Sequence, residues 1–235
     1  MMINSFLLIG QSNMAGRGAL HEVEPIAHPD ILMFRSNSWR TAKEPLHTDR
    51  PDIAGVGLGM SFAESLHRRY SIPVGLIPCA YGGSALSEWR KGGALYANAV
   101  RSVAEARKSS RLKGVLWHQG ESDADAPETA ASYKENFMVF IQSLLTDLGD
   151  PVVPVVIGEL GEFLPRHHKC AYAHIVNGQL AEIAGQGKPF TWASATGLTD
   201  KGDAMHFDAR SLREFGKRYA FAWASSAVRM GVDLE

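Results

Sequence analysis

The 235-residue chain has only two cysteines, Cys79 and Cys170, and they form no CxxC pair. That leaves no zinc-ribbon or dithiol redox motif, and two buried free thiols are expected rather than a disulfide framework. There is no surplus of either charge: 24 Lys and Arg stand against 25 Asp and Glu, a formal net charge of -1. The electrostatic footprint of a nucleic-acid binder is therefore missing. No run approaches the roughly 20 apolar residues of a membrane helix, and internal repeats, low-complexity tracts and like-charge blocks are lacking too. The apolar stretch near the start, Phe6 to Ile9, is too short for a secretory h-region and follows no basic segment. A cytoplasmic location is the default expectation, a removed leader aside.

What is present is a core-forming composition, 45% apolar and 21% charged, enough for one sizeable domain. Short β-rich runs alternate with helix-period segments, the pattern of a parallel sheet covered on both faces. Strands are expected at Asn4 to Ile9, Pro73 to Ile77, Gly114 to His118, Val152 to Ile157 and Pro189 to Ala193. Helices are expected at Gly59 to Tyr70, Ala94 to Lys108, Ala126 to Leu148, Cys170 to Ala184 and Ser211 to Arg229. Together they predict an α/β fold, a three-layer α/β/α sandwich around a central parallel sheet of about five strands. Residues Gly16 to Val56 break the rhythm as a long irregular insert with one short strand at Ile31 to Phe34, and such inserts are usually functional.

Ligands of open parallel sheets sit beyond the carboxyl ends of the strands. Gly10-Gln11-Ser12-Asn13-Met14 follows the first expected strand, Gly82-Gly83-Ser84 the second, and His118-Gln119-Gly120-Glu121-Ser122-Asp123 ends the third. Asp203-Ala204-Met205-His206 lies past the fifth. The four segments thus converge on one rim. They supply a serine, a histidine and an aspartate, the set that turns a neutral hydroxyl into a nucleophile. Asp203 can reach one imidazole nitrogen of His206 from the same turn, leaving the other to take the Ser12 proton. An oxyanion needs donors, and the Ser12 N–H, the Gly83 N–H and the Gln119 side-chain amide are the candidates.

Each feature also has a plain structural reading. Ser12 is a good helix cap, Asp203 or Asp208 caps the last helix, Gly82-Gly83 is a turn, and Gln119 pins two loops. Asp123 or Asp125 caps the following helix, and Glu121 accepts from loop N–H groups. Gly55-Val56-Gly57-Leu58-Gly59 follows no convincing strand, so it leads into a helix rather than binding a dinucleotide. Trp89, Trp117 and Tyr81 lie near the rim, where they suit a sugar platform, with core packing preferred for Trp117.

The four ordered blocks resemble those of the SGNH hydrolase superfamily, in its sialate O-acetylesterase-like and carbohydrate acetylesterase branch. The first block reads Gly-Gln-Ser and the third carries Gln119, both as in that branch. The resemblance implies Ser12 as nucleophile, His206 as base, Asp203 as its orienting acid, and Ser12, Gly83 and Gln119 as oxyanion donors. Gln11, Asn13 and Glu121 are given supporting roles. It also implies removal of acetyl groups from O-acetylated sugars, of sialate or xylan type, with no cofactor and no metal. The expected partner is a small-molecule or oligosaccharide ester, not nucleic acid or membrane.

Two other readings remain open on the residues. One is a carbohydrate-binding domain that kept the fold without the chemistry. The other is a metal-dependent hydrolase using His118, Glu121 and Asp123, whose spacing matches no standard signature.

Overall fold

The computed structural model describes residues 2–149 and 153–233. Seven strands form one sheet: β1 (Ile3–Gly10), β2 (Ile31–Arg35), β3 (Ser38–Thr41), β4 (Val74–Pro78), β5 (Ser110–His118), β6 (Val155–Gly158) and β7 (Phe190–Ala193). Their order is β3-β2-β4-β1-β5-β6-β7, parallel throughout except for β3. The five strands expected from the sequence are β4-β1-β5-β6-β7, which by themselves run 2-1-3-4-5, the flavodoxin-like winding. Val152, where the fourth had been expected to begin, lies outside the described residues.

The sheet is larger than the expected five strands because the 16–56 segment adds β2 and β3 at one edge. Sequence reasoning anticipated β2 but not β3. The two are joined by a two-residue turn in which Ser36 and Asn37 both adopt positive φ, 51° and 55°. Such turns normally announce themselves with Asn-Gly or Asp-Gly, and here neither is present.

Helices α2 (Leu58–Tyr70) and α7 (Ala209–Met230) cover one face, while α3 (Ala94–Ala106), α5 (Tyr133–Asp147) and α6 (Ala173–Gly185) cover the other. On the first face Phe6 of β1 meets Phe62 of α2 at 4.9 Å and Trp223 of α7 at 5.1 Å, both edge-on. On the second, Trp117 of β5 packs on Phe137 and Phe140 of α5. All six side chains are essentially excluded from water, and each contributes on the order of 2 kcal/mol through burial. The expected helix from Ala126 to Leu148 is split into α4 (Pro127–Ala131) and α5. Gln179 of α6 inserts at the break, donating to the Ala130 and Ala131 carbonyls and accepting from the Lys134 N–H. A side chain that satisfies freed backbone groups in this way makes the interruption tolerable.

Cys79 and Cys170 are free and buried, and burial pushes their thiols up to about 11 and about 12. Among the described residues no helix is long and apolar enough to cross a membrane.

Candidate active site

The winding reverses between β1 and β5, and Gly10 and His118 at their carboxyl ends are register partners. Gly10 holds φ +128°, and a Cβ there would fall 2.0 Å from the His118 carbonyl oxygen. Only glycine lets the chain leave β1 at this point and turn into the four-residue α1 (Ser12–Ala15). Ser12 thus opens onto a cleft of about 480 Å³ shared with Gly82, Gly83, Glu121, Ser122 and His206.

Across the cleft, the turn before α7 bears the other two members of the expected triad. His206 Nε2 lies 3.0 Å from Ser12 Oγ, and His206 Nδ1 lies 2.8 Å from Asp203 Oδ2. Asp203 Oδ1 also accepts the backbone N–H groups of Met205 and His206. Burial by itself would raise the Asp203 carboxyl, but these bonds and the His206 ring outweigh it and hold it at about 2. The capping duty that might have occupied Asp203 falls to Asp208, which accepts the Ser211 N–H at 2.7 Å.

Asn13 sets the height of that turn. Its amide donates to the Met205 carbonyl at 3.1 Å and accepts from the Phe207 N–H at 3.1 Å, gripping both flanks of His206. The same amide donates to Glu121 Oε1 at 2.6 Å. Burial pushes the Glu121 carboxyl up, but the His118 ring and the Asn13 amide prevail, so it sits below the usual carboxylate range. Gln11 works beneath the site, with Oε1 accepting from Gln119 and from the Ser122 N–H.

Gln119 is not brought to the cleft. It is wholly buried, and its amide nitrogen donates to Asp123 Oδ2 at 2.5 Å, to the Ser84 carbonyl at 3.1 Å and to Gln11 Oε1 at 3.2 Å. The expected side-chain oxyanion donor is thus drawn inward by a carboxylate four residues on and pins loops together, as its plain structural reading had it. The backbone donors are better placed. Ser12 and Gly83 both line the cleft, and neither N–H finds an acceptor among the described residues.

Trp89 and Trp117 are fully buried, 5.6 Å apart, so the sugar platform reduces to the exposed Tyr81, which lies outside the cleft lining. His118, Glu121 and Asp123 do not converge: Asp123 turns to Gln119 and the Leu86 N–H. Among the described residues the one group with metal-ligand spacing is His28, Asp30 and His67, at the amino end of the sheet, away from Ser12. Sequence reasoning missed Arg17 and Asp49, which meet under Gly82. They lie 32 positions apart, with no local pattern to betray them.

Serine, histidine and aspartate side chains thus stand in hydrogen-bonded series at the switch point of an SGNH-type α/β/α fold, and the class is that of the carboxylic ester hydrolases. Comparison with known proteins narrows the class. The family profile described as carbohydrate esterase, sialic acid-specific acetylesterase, matches residues 2–225, and the chain belongs to that family. A probable carbohydrate esterase of Arabidopsis thaliana is 32% identical over 94% of this chain and 90% of its own length. The Arabidopsis crystal structure at 1.6 Å superposes with a TM-score of 0.86, covering 96% of this chain and 99% of that one. NanS shares the fold at a TM-score of 0.79 and 18% identity, covering 97% and 98% of the two chains.

Proposed function

We propose that this protein is a serine acetylesterase that deacetylates O-acetylated sugars through a covalent acyl-enzyme. The observation that carries the reading is the unbroken relay of Ser12 Oγ, His206 Nε2, His206 Nδ1 and Asp203 Oδ2, with links of 3.0 and 2.8 Å. In it, His206 takes the Ser12 proton as Oγ bonds to the ester carbonyl carbon, and the carbonyl π electrons move onto oxygen. The Ser12 and Gly83 N–H groups receive that oxyanion. Collapse expels the sugar oxygen, which leaves as an alcohol carrying the proton from His206. Water, deprotonated by His206, then attacks the acetyl-serine and releases acetate, restoring the Ser12 hydroxyl.

The exposed side chains on the cleft wall include two cations, Arg50 and Lys169, and one acid, Asp125. Their one net positive charge gives an acidic sugar of the sialate type a small advantage there over a neutral xylan-type one. The test is hydrolysis of p-nitrophenyl acetate, butyrate and octanoate with a chelator present. Wild type is expected to prefer acetate, and Ser12→Ala to lose roughly 10⁴-fold or more in kcat. Turnover that persists in Ser12→Ala would move the nucleophile elsewhere, and turnover lost to the chelator would revive a metal mechanism.

A further inference from the structure

Arg17 and Asp49 form an ion pair with almost no access to water. Arg17 Nη2 lies 2.6 Å from Asp49 Oδ2, and the two side chains are 1% and 3% exposed. Withdrawing both charges from water costs several kcal/mol per ion, which attraction offsets only in good geometry, so stability alone is a weak reason for such a pair. A third partner supplies a better one. Asp49 Oδ2 also accepts the Gly82 backbone N–H at 2.7 Å, one peptide before Gly83. Arg17, for its part, donates from Nη1 to the Gly16 carbonyl at 2.8 Å, and the Gly16 N–H closes α1 on the Ser12 carbonyl at 2.8 Å. The pair therefore ties the nucleophile's turn to the loop that bears the second backbone donor.

The contact has no slack. A Cβ added at Gly82 would fall 2.4 Å from Arg17 Nη2 and 2.9 Å from Asp49 Oδ2. Gly83, with φ +77°, has open space where its Cβ would point, so the loop is packed tightly behind and free in front. Asp49 stays ionised: burial raises its carboxyl, but the Arg17 guanidinium and the Gly82 N–H outweigh that and bring it below its ordinary value. His47 beside it is buried and held near 4, hence neutral, and adds no competing charge.

We infer that Arg17 and Asp49 are positioning residues for ester hydrolysis, holding the Gly82 peptide so that the Gly83 N–H meets the oxyanion as it forms. The inference rests on Gly83 as a donor in the mechanism above. An oxyanion donor acts only within a few tenths of an ångström of its ideal distance. A loop that drifts therefore loses transition-state binding while substrate binding survives. The 16–56 segment, on this view, contributes to rate rather than only to the sheet edge.

The test compares wild type, Ser12→Ala, Asp49→Ala and the double variant Arg17→Met/Asp49→Leu in p-nitrophenyl acetate hydrolysis. Inhibition by a phenylboronic acid, which adds to an active serine as a tetrahedral anion, is measured alongside. Asp49→Ala is expected to lower kcat roughly 10- to 100-fold with KM within about threefold, and to weaken boronate inhibition in proportion. Asp49→Ala strands a buried guanidinium and is prone to unfold. The double variant replaces the pair by apolar side chains and should fold, yet it still leaves the Gly82 N–H without an acceptor, so its kcat should stay low. Gly82→Ala, which forces the pair apart from the other side, should reproduce the loss. Wild-type kcat in the folded double variant, or a defect confined to KM, would overturn the positioning role while leaving Ser12-dependent turnover intact. Wild-type turnover that Ser12→Ala does not abolish would overturn the serine reading and this inference with it.

Discussion

The two walls of the cleft are fixed by different physics. On one wall, His206, the base of the proposed mechanism, is held by a neutral amide, Asn13, that grips the backbone on both sides of it and is itself anchored by Glu121. On the other, Gly83, the proposed oxyanion donor, is held by a full ion pair acting through the neighbouring Gly82 peptide; these are the base wall and the oxyanion wall. Each wall thus places one ionised, water-excluded acid behind a piece of backbone that must not move. On the base wall Glu121 borders the cleft itself, with the His118 ring 3.4 Å from its Oε1. On the oxyanion wall the charge is cancelled by a guanidinium before the cleft is reached. The lesson is that preorganisation can be bought with a hydrogen-bond clamp where the held group must exchange protons, and with a closed ion pair where only geometry matters.

The sharpest way to break this comparison is at Asn13. Asn13→Ala deletes three hydrogen bonds at once and leaves the Glu121 carboxylate without its short donor. A stability loss of about 3 kcal/mol is expected, read from the urea midpoint at constant slope. The freed 205–207 turn should cost kcat roughly 100-fold. If Asn13→Ala were to harm only stability, the base wall would need no clamp and the symmetry between the walls would fail.

The pH profile separates the walls next. If His206 is the base, only its neutral ring can accept the Ser12 proton, so kcat/KM should show an acid limb that falls about tenfold per pH unit. Asp203, held at about 2, is already a carboxylate throughout that limb and contributes no second break. Asp49 is likewise ionised there, because its carboxyl lies below its ordinary value. Arg17→Met/Asp49→Leu should therefore lower the whole profile evenly without moving its limb. A displaced limb in that variant would show that the ion pair reaches the base, contrary to a purely geometric role.

The residues that line both walls, Ser12, Gly83 and His206, stand in short motifs of the sequence, whereas the Arg17–Asp49 pair behind Gly83 does not, for reasons of spacing. Ser12 and Asn13 are adjacent just past the apolar run of β1, and Asp203 and His206 share one turn before α7. The strands β4, β1, β5, β6 and β7 were legible from their apolar runs. Arg17, Asp49 and Gly82 meet only because the 16–56 segment returns along the sheet edge, and that return depends on a Ser36-Asn37 turn with no glycine to flag it. The Gln119 amide was misplaced for another reason. Its backbone position is set by β5, but its rotamer is set by Asp123 and the Ser84 carbonyl, and no motif records a rotamer.

A last, smaller effect refines the oxyanion wall itself. Gly83 is tethered on its other side by Ser122, whose hydroxyl donates to the Gly83 carbonyl at 3.1 Å. This bond is neutral and water-accessible, and it restrains the carbonyl end of Gly83, a residue that lines the cleft. A bond of that kind contributes on the order of 1 kcal/mol at most, against a buried ionic acceptor on the Gly82 side. Ser122→Ala is accordingly expected to lower kcat by no more than about threefold, with KM unchanged, in the assay used for Asp49→Ala. Because the Ser122 N–H bond to Gln11 survives the substitution, the backbone beneath should stay in place and the thermal midpoint should barely shift. A loss in Ser122→Ala as large as in Asp49→Ala would mean that the loop is held from the front rather than from behind, and the ion pair would lose its special standing.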